Sequence, residues 1–195
     1  MAKSKALMPT FFISLNLIFL FSSVVTASYS KTISPTLLGF REEKLTHLHF
    51  YFHDIVAGPN PSMVIVAEPN GKAPNSLPFG TVVAMDDPLT EGPERDSKLV
   101  GTAQGIYTSI SQNTPDDMGL MMVMTLAFSE GEFNGSTLCM MGRNMIMRYP
   151  VREMAIVGGT GAFRLARGHT EGKFHSVDFT TGDATVEYDV YVYHY

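Results

Sequence analysis

The sequence predicts an all-β fold, and within that class a closed antiparallel β-barrel of eight or nine short strands. Three observations carry the expectation. Eight or nine short apolar runs follow one another between residues 45 and 193, several with period-two alternation. Gly, Pro, Asn and Asp clusters separate them at fairly even spacing. Beyond the N-terminal run, no segment sustains a period of about 3.6 residues. Many short strands with regular turns fit a closed antiparallel sheet, which leaves no unpaired edge, better than a sandwich.

The elements follow in order. Lys3 and Lys5 precede an apolar run, Phe11 to Phe21, interrupted only by Ser14 and Asn16, and Val25-Thr26-Ala27 offers small residues for cleavage. This pattern is a secretory signal over residues 1–27, and its apolar core is nearer a dozen residues than the roughly twenty a bilayer helix needs. Residues 28–43 lack a period and are expected to form a loose N-terminal arm, leaving 44–195 as one barrel domain. Leu48, Phe50, Phe52 and Val56 alternate with His47, His49, Tyr51 and His53, which is strand patterning. Gly58-Pro59-Asn60-Pro61 breaks it. Met63 to Ala67 is a short strand, Pro69-Asn70-Gly71 a turn, and Gly80 to Met85 a strand ended by Asp86-Asp87-Pro88. Leu99 to Ile110 is a longer strand, and Ser111 to Gly119 a polar loop. Leu120 to Phe128, Met-rich, reads as a strand buried on both faces. Gly131-Glu132 turns the chain into Phe133 to Met141. Arg152 to Val157 runs into Gly158-Gly159-Thr160-Gly161, a tight turn requiring positive φ angles. Phe174 to Phe179 and Ala184 to Tyr193 close the chain across a turn at Thr181-Gly182-Asp183.

Charge and cysteine usage exclude several functions. The leader holds two of the 14 basic residues and none of the 19 acids, so the remaining chain carries a net charge of −7. Such a surface argues against nucleic acid and against an anionic membrane as partners. The single cysteine, Cys139, cannot close an internal disulfide. Asn134-Gly135-Ser136 is a glycosylation acceptor, whereas the proline of Asn60-Pro61-Ser62 excludes that triplet.

Asp54 is the most informative side chain. It shares the strand face of Leu48, Phe50, Phe52 and Val56, where a carboxylate is costly unless paired or used. Desolvation would raise its pKa and suit it to proton transfer, while the alternative is an aspartate capping the next turn. Tyr107 lies on the face Gly101, Ala103, Gly105, Tyr107, Ser109, whose small residues either leave room for a ligand or relieve crowding where the barrel bends. Arg152 opens a strand, placed to pair with Asp54 or a bound phenolate, or else to remain a solvated surface cation. His47, His49 and His53 share a face, but no glutamate follows at ligand spacing, so a cupin-like metal barrel is only a remote alternative and neither metal nor cofactor is expected. No P-loop lysine follows the glycines at 158–161, no G-x-S-x-G elbow exists and no redox centre is visible.

Several stretches in order resemble the plant dirigent family. They are Leu48-His49-Phe50-Tyr51-Phe52-His53-Asp54-Ile55, Met85-Asp86-Asp87-Pro88-Leu89-Thr90, Gly101-Thr102-Ala103-Gln104-Gly105-Ile106-Tyr107, Val151-Arg152-Glu153-Met154 with Val157 to Phe163, and Gly182 to Tyr191. The resemblance implies an eight-stranded barrel of the allene oxide cyclase-like type, a homotrimer, secretion to the apoplast and a small phenolic substrate. Dirigent proteins steer phenoxy radicals or quinone methides to one stereoisomer, as in lignan biosynthesis, with a separate laccase or peroxidase supplying any oxidation. The family's cavity aspartate, tyrosine and arginine map onto Asp54, Tyr107 and Arg152. A second cavity acid is Asn144 here, and Asn144, Phe52 and Ser109 are the expected substrate contacts. Gly58 to Val64, Met118 to Met124 and Arg143 to Met147 resemble the pterocarpan synthases within that family, which are isoflavanol dehydratases. The first expectation is therefore stereoselective coupling or cyclisation, and the alternative is a hydro-lyase forming the pterocarpan ring with Asp54 as general acid.

Overall fold

A computed structural model describes residues 29–39, 42–69, 77–112 and 117–195. The expected signal segment and the turn at Asn70-Gly71 lie outside the described residues. Nine strands form one antiparallel sheet: β1 Lys44–Asp54, β2 Met63–Ala67, β3 Val82–Thr90, β4 Leu99–Ser109, β5 Gly119–Phe128, β6 Thr137–Met145, β7 Arg152–Thr160, β8 Arg167–Val177 and β9 Ala184–His194. Its order is β1-β9-β8-β7-β6-β5-β4-β3-β2, and a further β1–β3 pairing closes it. The barrel has eight positions because β1 and β2 share one. β3 pairs with β2 through Met63↔Met85 and with β1 through Phe52↔Leu89. β1 and β2 are thus one interrupted strand, and residues 56–61 form a loop pinched where Ser62 N–H donates to Ile55 O at 2.8 Å.

Period two sets the inside of the barrel. Phe50 and Phe52 of β1, Val83, Met85 and Leu89 of β3, Met122, Met124 and Leu126 of β5, Leu138 and Met140 of β6, and Val186, Tyr188 and Val190 of β9 form one buried core. The opposite parity faces out: on β5, Met121 and Val123 are exposed, so this strand is buried on one face only, against the expectation from its composition.

Three other boundaries differ from the sequence reading. β3 continues through Asp86-Asp87-Pro88 to Thr90 instead of stopping there. Pro88 is tolerated because it sits where the edge of β3 passes from β2 to β1, so its missing N–H breaks no ladder. Gly158 and Gly159 lie within β7, and only Gly161 of that run has a positive φ, 62°. A Cβ at Gly159 would stand 2.4 Å from Thr137 O, so this glycine serves a close approach of backbones and not a turn. β6 begins at Thr137, since Gly131–Phe133 forms a 3₁₀ turn.

Candidate functional site

The expected catalytic residues converge on the barrel interior. Continuing the β1–β3 register from Phe52↔Leu89 sets Asp54 alongside Asp87. Asp87, which the sequence reading placed in a turn, is a fully buried strand residue on the face of Val83, Met85 and Leu89. Its place on that alternation was the signal available in the sequence; the Asp-Asp-Pro composition obscured it. Ser62 Oγ donates to Asp87 Oδ1. Asp87 Oδ2 and Asp54 Oδ1 are buried and without any hydrogen-bond partner among the described residues. Burial pushes the Asp54 pKa up to about 6, with Asp183 adding to the shift. Burial pushes Asp87 to about 8, against the Ser62 hydrogen bond and with help from Asp54 and Asp86. Asp54 raises Asp87 but not the reverse, because Asp54 ionises first, while Asp87 is still neutral. One buried carboxyl is thus a proton carrier and its neighbour a base at the same pH.

Tyr107 is buried on β4, and burial, Asp54 and Asp87 all raise its pKa, keeping the phenol protonated. The small residues on its face do not clear space. A Cβ on Gly101 would lie 2.2 Å from Ala127 O, and one on Gly105 2.2 Å from Val123 O, so these glycines let β4 press against β5. Ser109 is buried, and its hydroxyl donates to Leu77 O at 2.9 Å, so it holds the preceding connection in place.

Arg152 is 4% exposed, not a surface cation. Its Nε donates to Asn144 Oδ1 at 3.1 Å, and its guanidinium carbon lies 4.2 Å from the Phe174 ring centroid. It pairs with no carboxylate among the described residues, and burial lowers its pKa. The ladder runs Arg152↔Gly172↔Tyr188↔Phe50 across β7, β8, β9 and β1. Gly172 makes room there for the Tyr188 ring, which a Cβ would meet at 2.8 Å. Phe52 packs edge-on against Tyr188, centroids 5.9 Å apart. The barrel interior therefore presents two adjacent buried carboxyls, a phenol, a desolvated cation and an aromatic wall.

Asp183 ties the mouth together. Its Oδ1 accepts from Val56 N–H and Ala57 N–H at 2.8 and 3.0 Å, and its Oδ2 accepts from Arg95 at 2.7 Å. Burial alone would raise its pKa, but the hydrogen bonds from Arg95, Ala57 and Val56 hold it below the usual carboxylate range. The loop after β1, the Glu91–Lys98 connection and the β8–β9 turn meet on this carboxylate, which also faces Asp54 electrostatically.

The histidines separate. His53 is fully buried, its Nε2 2.7 Å from Thr90 Oγ1 and its Nδ1 3.3 Å from Thr185 Oγ1, and burial lowers its pKa. His47 and His49 stay on the exposed outside. The three-histidine cluster that the spacing suggested is not formed.

The model of the dirigent-like protein family matches residues 45–193. Over 195 residues, all of both chains, the sequence is 75% identical to pterocarpan synthase 1 of Glycyrrhiza echinata and 71% identical to pterocarpan synthase 1 of Glycine max. A solved structure of the pterocarpan synthase dirigent protein GePTS1 aligns with a TM-score of 0.79 at 77% identity, covering 85% of this chain and 99% of that one.

Proposed function

The chain belongs to the dirigent-like family, and from that premise we propose that it is an isoflavanol dehydratase of the pterocarpan synthase kind, a hydro-lyase acting on a small phenolic. Radical coupling was the reading the sequence put first. The identity to two pterocarpan synthases over the full chain favours the second. The observation that carries the chemistry is the pair of buried carboxyl oxygens on Asp54 and Asp87 without hydrogen-bond partners among the described residues; Arg152, buried on another wall of the barrel and held by Asn144, pairs with no carboxylate among those residues.

In this reading neutral Asp87 gives its proton to the benzylic hydroxyl, the C–O bond breaks and water leaves. Ionised Asp54 takes the proton of the ring phenol, and a neutral quinone methide results. A second phenol of the same molecule then adds to the exposed carbon. Its proton returns to the carboxylate pair as the quinone methide oxygen regains one, so the sum is substrate to cyclised product plus water. Arg152 stabilises phenolate character during both steps, and Phe52, Phe174 and Tyr188 hold one face of the ring. No oxidant is consumed, and no cofactor takes part.

The test pairs two substrates. A 2′-hydroxyisoflavanol should lose water to a single enantiomer, whereas coniferyl alcohol with a one-electron oxidant should give racemic dimer. Stereoselective dimer with an inert isoflavanol would overturn the proposal in favour of radical steering.

Export through the residue 1–27 segment to the apoplast, with glycosylation at Asn134, is part of the same proposal. The lysine-flanked apolar leader supports it, as does the exposure of Asn134 after a 3₁₀ turn. So is a homotrimer. Its support is an apolar outer surface on which Ile106, Val123, Met141 and Val157 are all exposed around an open depression of about 340 Å³.

A further inference from the structure

The outer face of β1 and β9 carries a second cluster that the reaction does not use. His47 and His49 occupy alternate outward positions on β1, and Asp189 and Glu187 do so on β9, with His49 directly opposite Asp189. His47 Nε2 and His49 Nδ1 lie 2.8 and 2.9 Å from the same oxygen, Asp189 Oδ1. One donor atom each from His49, Asp189 and Glu187 falls within 4.8 Å of the others. The rings are held by their neighbours: His47 stacks on Tyr191 at 4.8 Å and 13°, and His49 stands edge-on to Tyr51 at 5.4 Å.

The arrangement holds a mismatch. If His49 Nδ1–H donates to Asp189, the neutral ring leaves a bare lone pair on Nε2, and that nitrogen faces the Glu187 carboxylate at 3.9 Å. A proton on Nε2 or a metal ion relieves this contact, and an ion there gains Asp189 as a ligand once that carboxylate swings from Nδ1, since one ring offers a single nitrogen to one ion. Lys173 Nζ already lies 2.9 Å from Glu187 and competes for that carboxylate. Imidazole and carboxylate donors together suit Zn²⁺ and Co²⁺, whose bonds to such atoms are about 2.0–2.2 Å, so modest rotamer shifts close the site.

We propose that His49, Asp189 and Glu187, with His47 as the fourth donor, form a divalent transition-metal site clamping β1 to β9 on the outside of the barrel. These side chains have the opposite parity to Phe50, Phe52 and Asp54, so the barrel wall separates the ion from the interior residues and it plays no part in the dehydration. It binds the folded state alone and stabilises the seam.

The experiment titrates the untagged full-length secreted protein with Co²⁺, reading the visible d–d absorption, and with Zn²⁺, reading the melting temperature. One equivalent of Co²⁺ per chain is expected. A hundredfold excess of Zn²⁺ over its dissociation constant should raise the melting temperature by about 5–10 °C. His49→Ala should weaken binding roughly tenfold or more, and Lys173→Gln should tighten it by freeing Glu187. The Lys173 variant guards against simple damage, since a disturbed fold does not gain affinity. Co²⁺ binding with equal affinity in the His49→Ala variant, or no binding at millimolar Co²⁺ in the native protein, would overturn the site.

Discussion

Replacing Asp87 by asparagine should make the protein more stable and far less active. A carboxyl whose pKa is raised from 3.8 to about 8 keeps its proton in the fold but loses it on unfolding at neutral pH. The folded state then binds more protons than the unfolded one between those values, so this group contributes stability at low pH and opposes folding as pH rises. At pH 7 the opposing contribution is about 1.4 kcal/mol for each of the roughly three pH units above 3.8, or about 4 kcal/mol. Asparagine mimics the neutral acid. Its amide oxygen still accepts from Ser62 Oγ, and its NH₂ replaces the unpartnered Oδ2, which is already unsatisfied in the native protein. The melting temperature at pH 7 should therefore rise by roughly 8–16 °C for a domain of this size, and the gain should vanish near pH 4. Turnover should fall by about a hundredfold to ten-thousandfold, because the variant has no transferable proton. Denaturation curves at several pH values, with product analysis on the same preparation, decide it. A variant whose gain over the native protein is no larger at pH 7 than at pH 4 would refute the burial argument, and one with native turnover would refute the acid assignment.

The pH dependence of kcat/KM should be bell-shaped with limbs near 6 and 8, since Asp54 must be ionised and Asp87 neutral; a flat profile between pH 5 and 9 contradicts the pair. Asp183→Asn removes a negative charge that raises Asp54, so the acid limb should move to lower pH, measurable as a displaced limb with the alkaline limb unchanged. Asn144→Asp should neutralise Arg152 by an ion pair and raise KM for the phenolic about tenfold or more with little loss of stability, read by steady-state kinetics and thermal melting. Val123→Asp places a charge on the exposed apolar face of β5; under the proposed trimer it should yield monomers by light scattering with the fold intact by circular dichroism, and a native protein that is already monomeric would refute the trimer.

The sequence made the inner face legible where apolar residues alternate with polar ones, as in Phe50, Phe52 and Asp54 on β1, but not on β5, where the outward Met121 and Val123 are as apolar as the inward Met122 and Met124. It failed where the inward residues are small or polar. The first half of β8 presents Gly168, Thr170 and Gly172 to the interior, so no hydrophobic period marks it. Gly168 is there because a Cβ would stand 2.0 Å from Tyr191 O, and Gly172 because the Tyr188 ring occupies that space. Asp87 was hidden for a different reason. Asp-Asp-Pro signals a turn locally, and only the handover of β3 from β2 to β1 lets that tripeptide lie in a strand. His53 shares the parity of His47 and His49, yet Thr90 and Thr185 enclose it, and no periodicity foretells that covering.

The separation between steering a radical and expelling water rests on protons and not on shape. Burying two desolvated acids is a standing cost to the fold, and proton transfer to a leaving hydroxyl is a use that offsets it. Asp54 and Asp87 each leave one buried oxygen without a hydrogen-bond partner among the described residues. The position where the family resemblance expects a further acid is Asn144, whose amide oxygen binds Arg152 without cancelling its charge. In the proposed reaction that cation meets a phenolate, while the carboxyls of Asp54 on β1 and Asp87 on β3 handle the hydroxyl and its proton. That division places acid and anion-stabilising groups on different walls, β1–β3 and β7, as a reaction that breaks a C–O bond while charge grows on a distant ring oxygen requires.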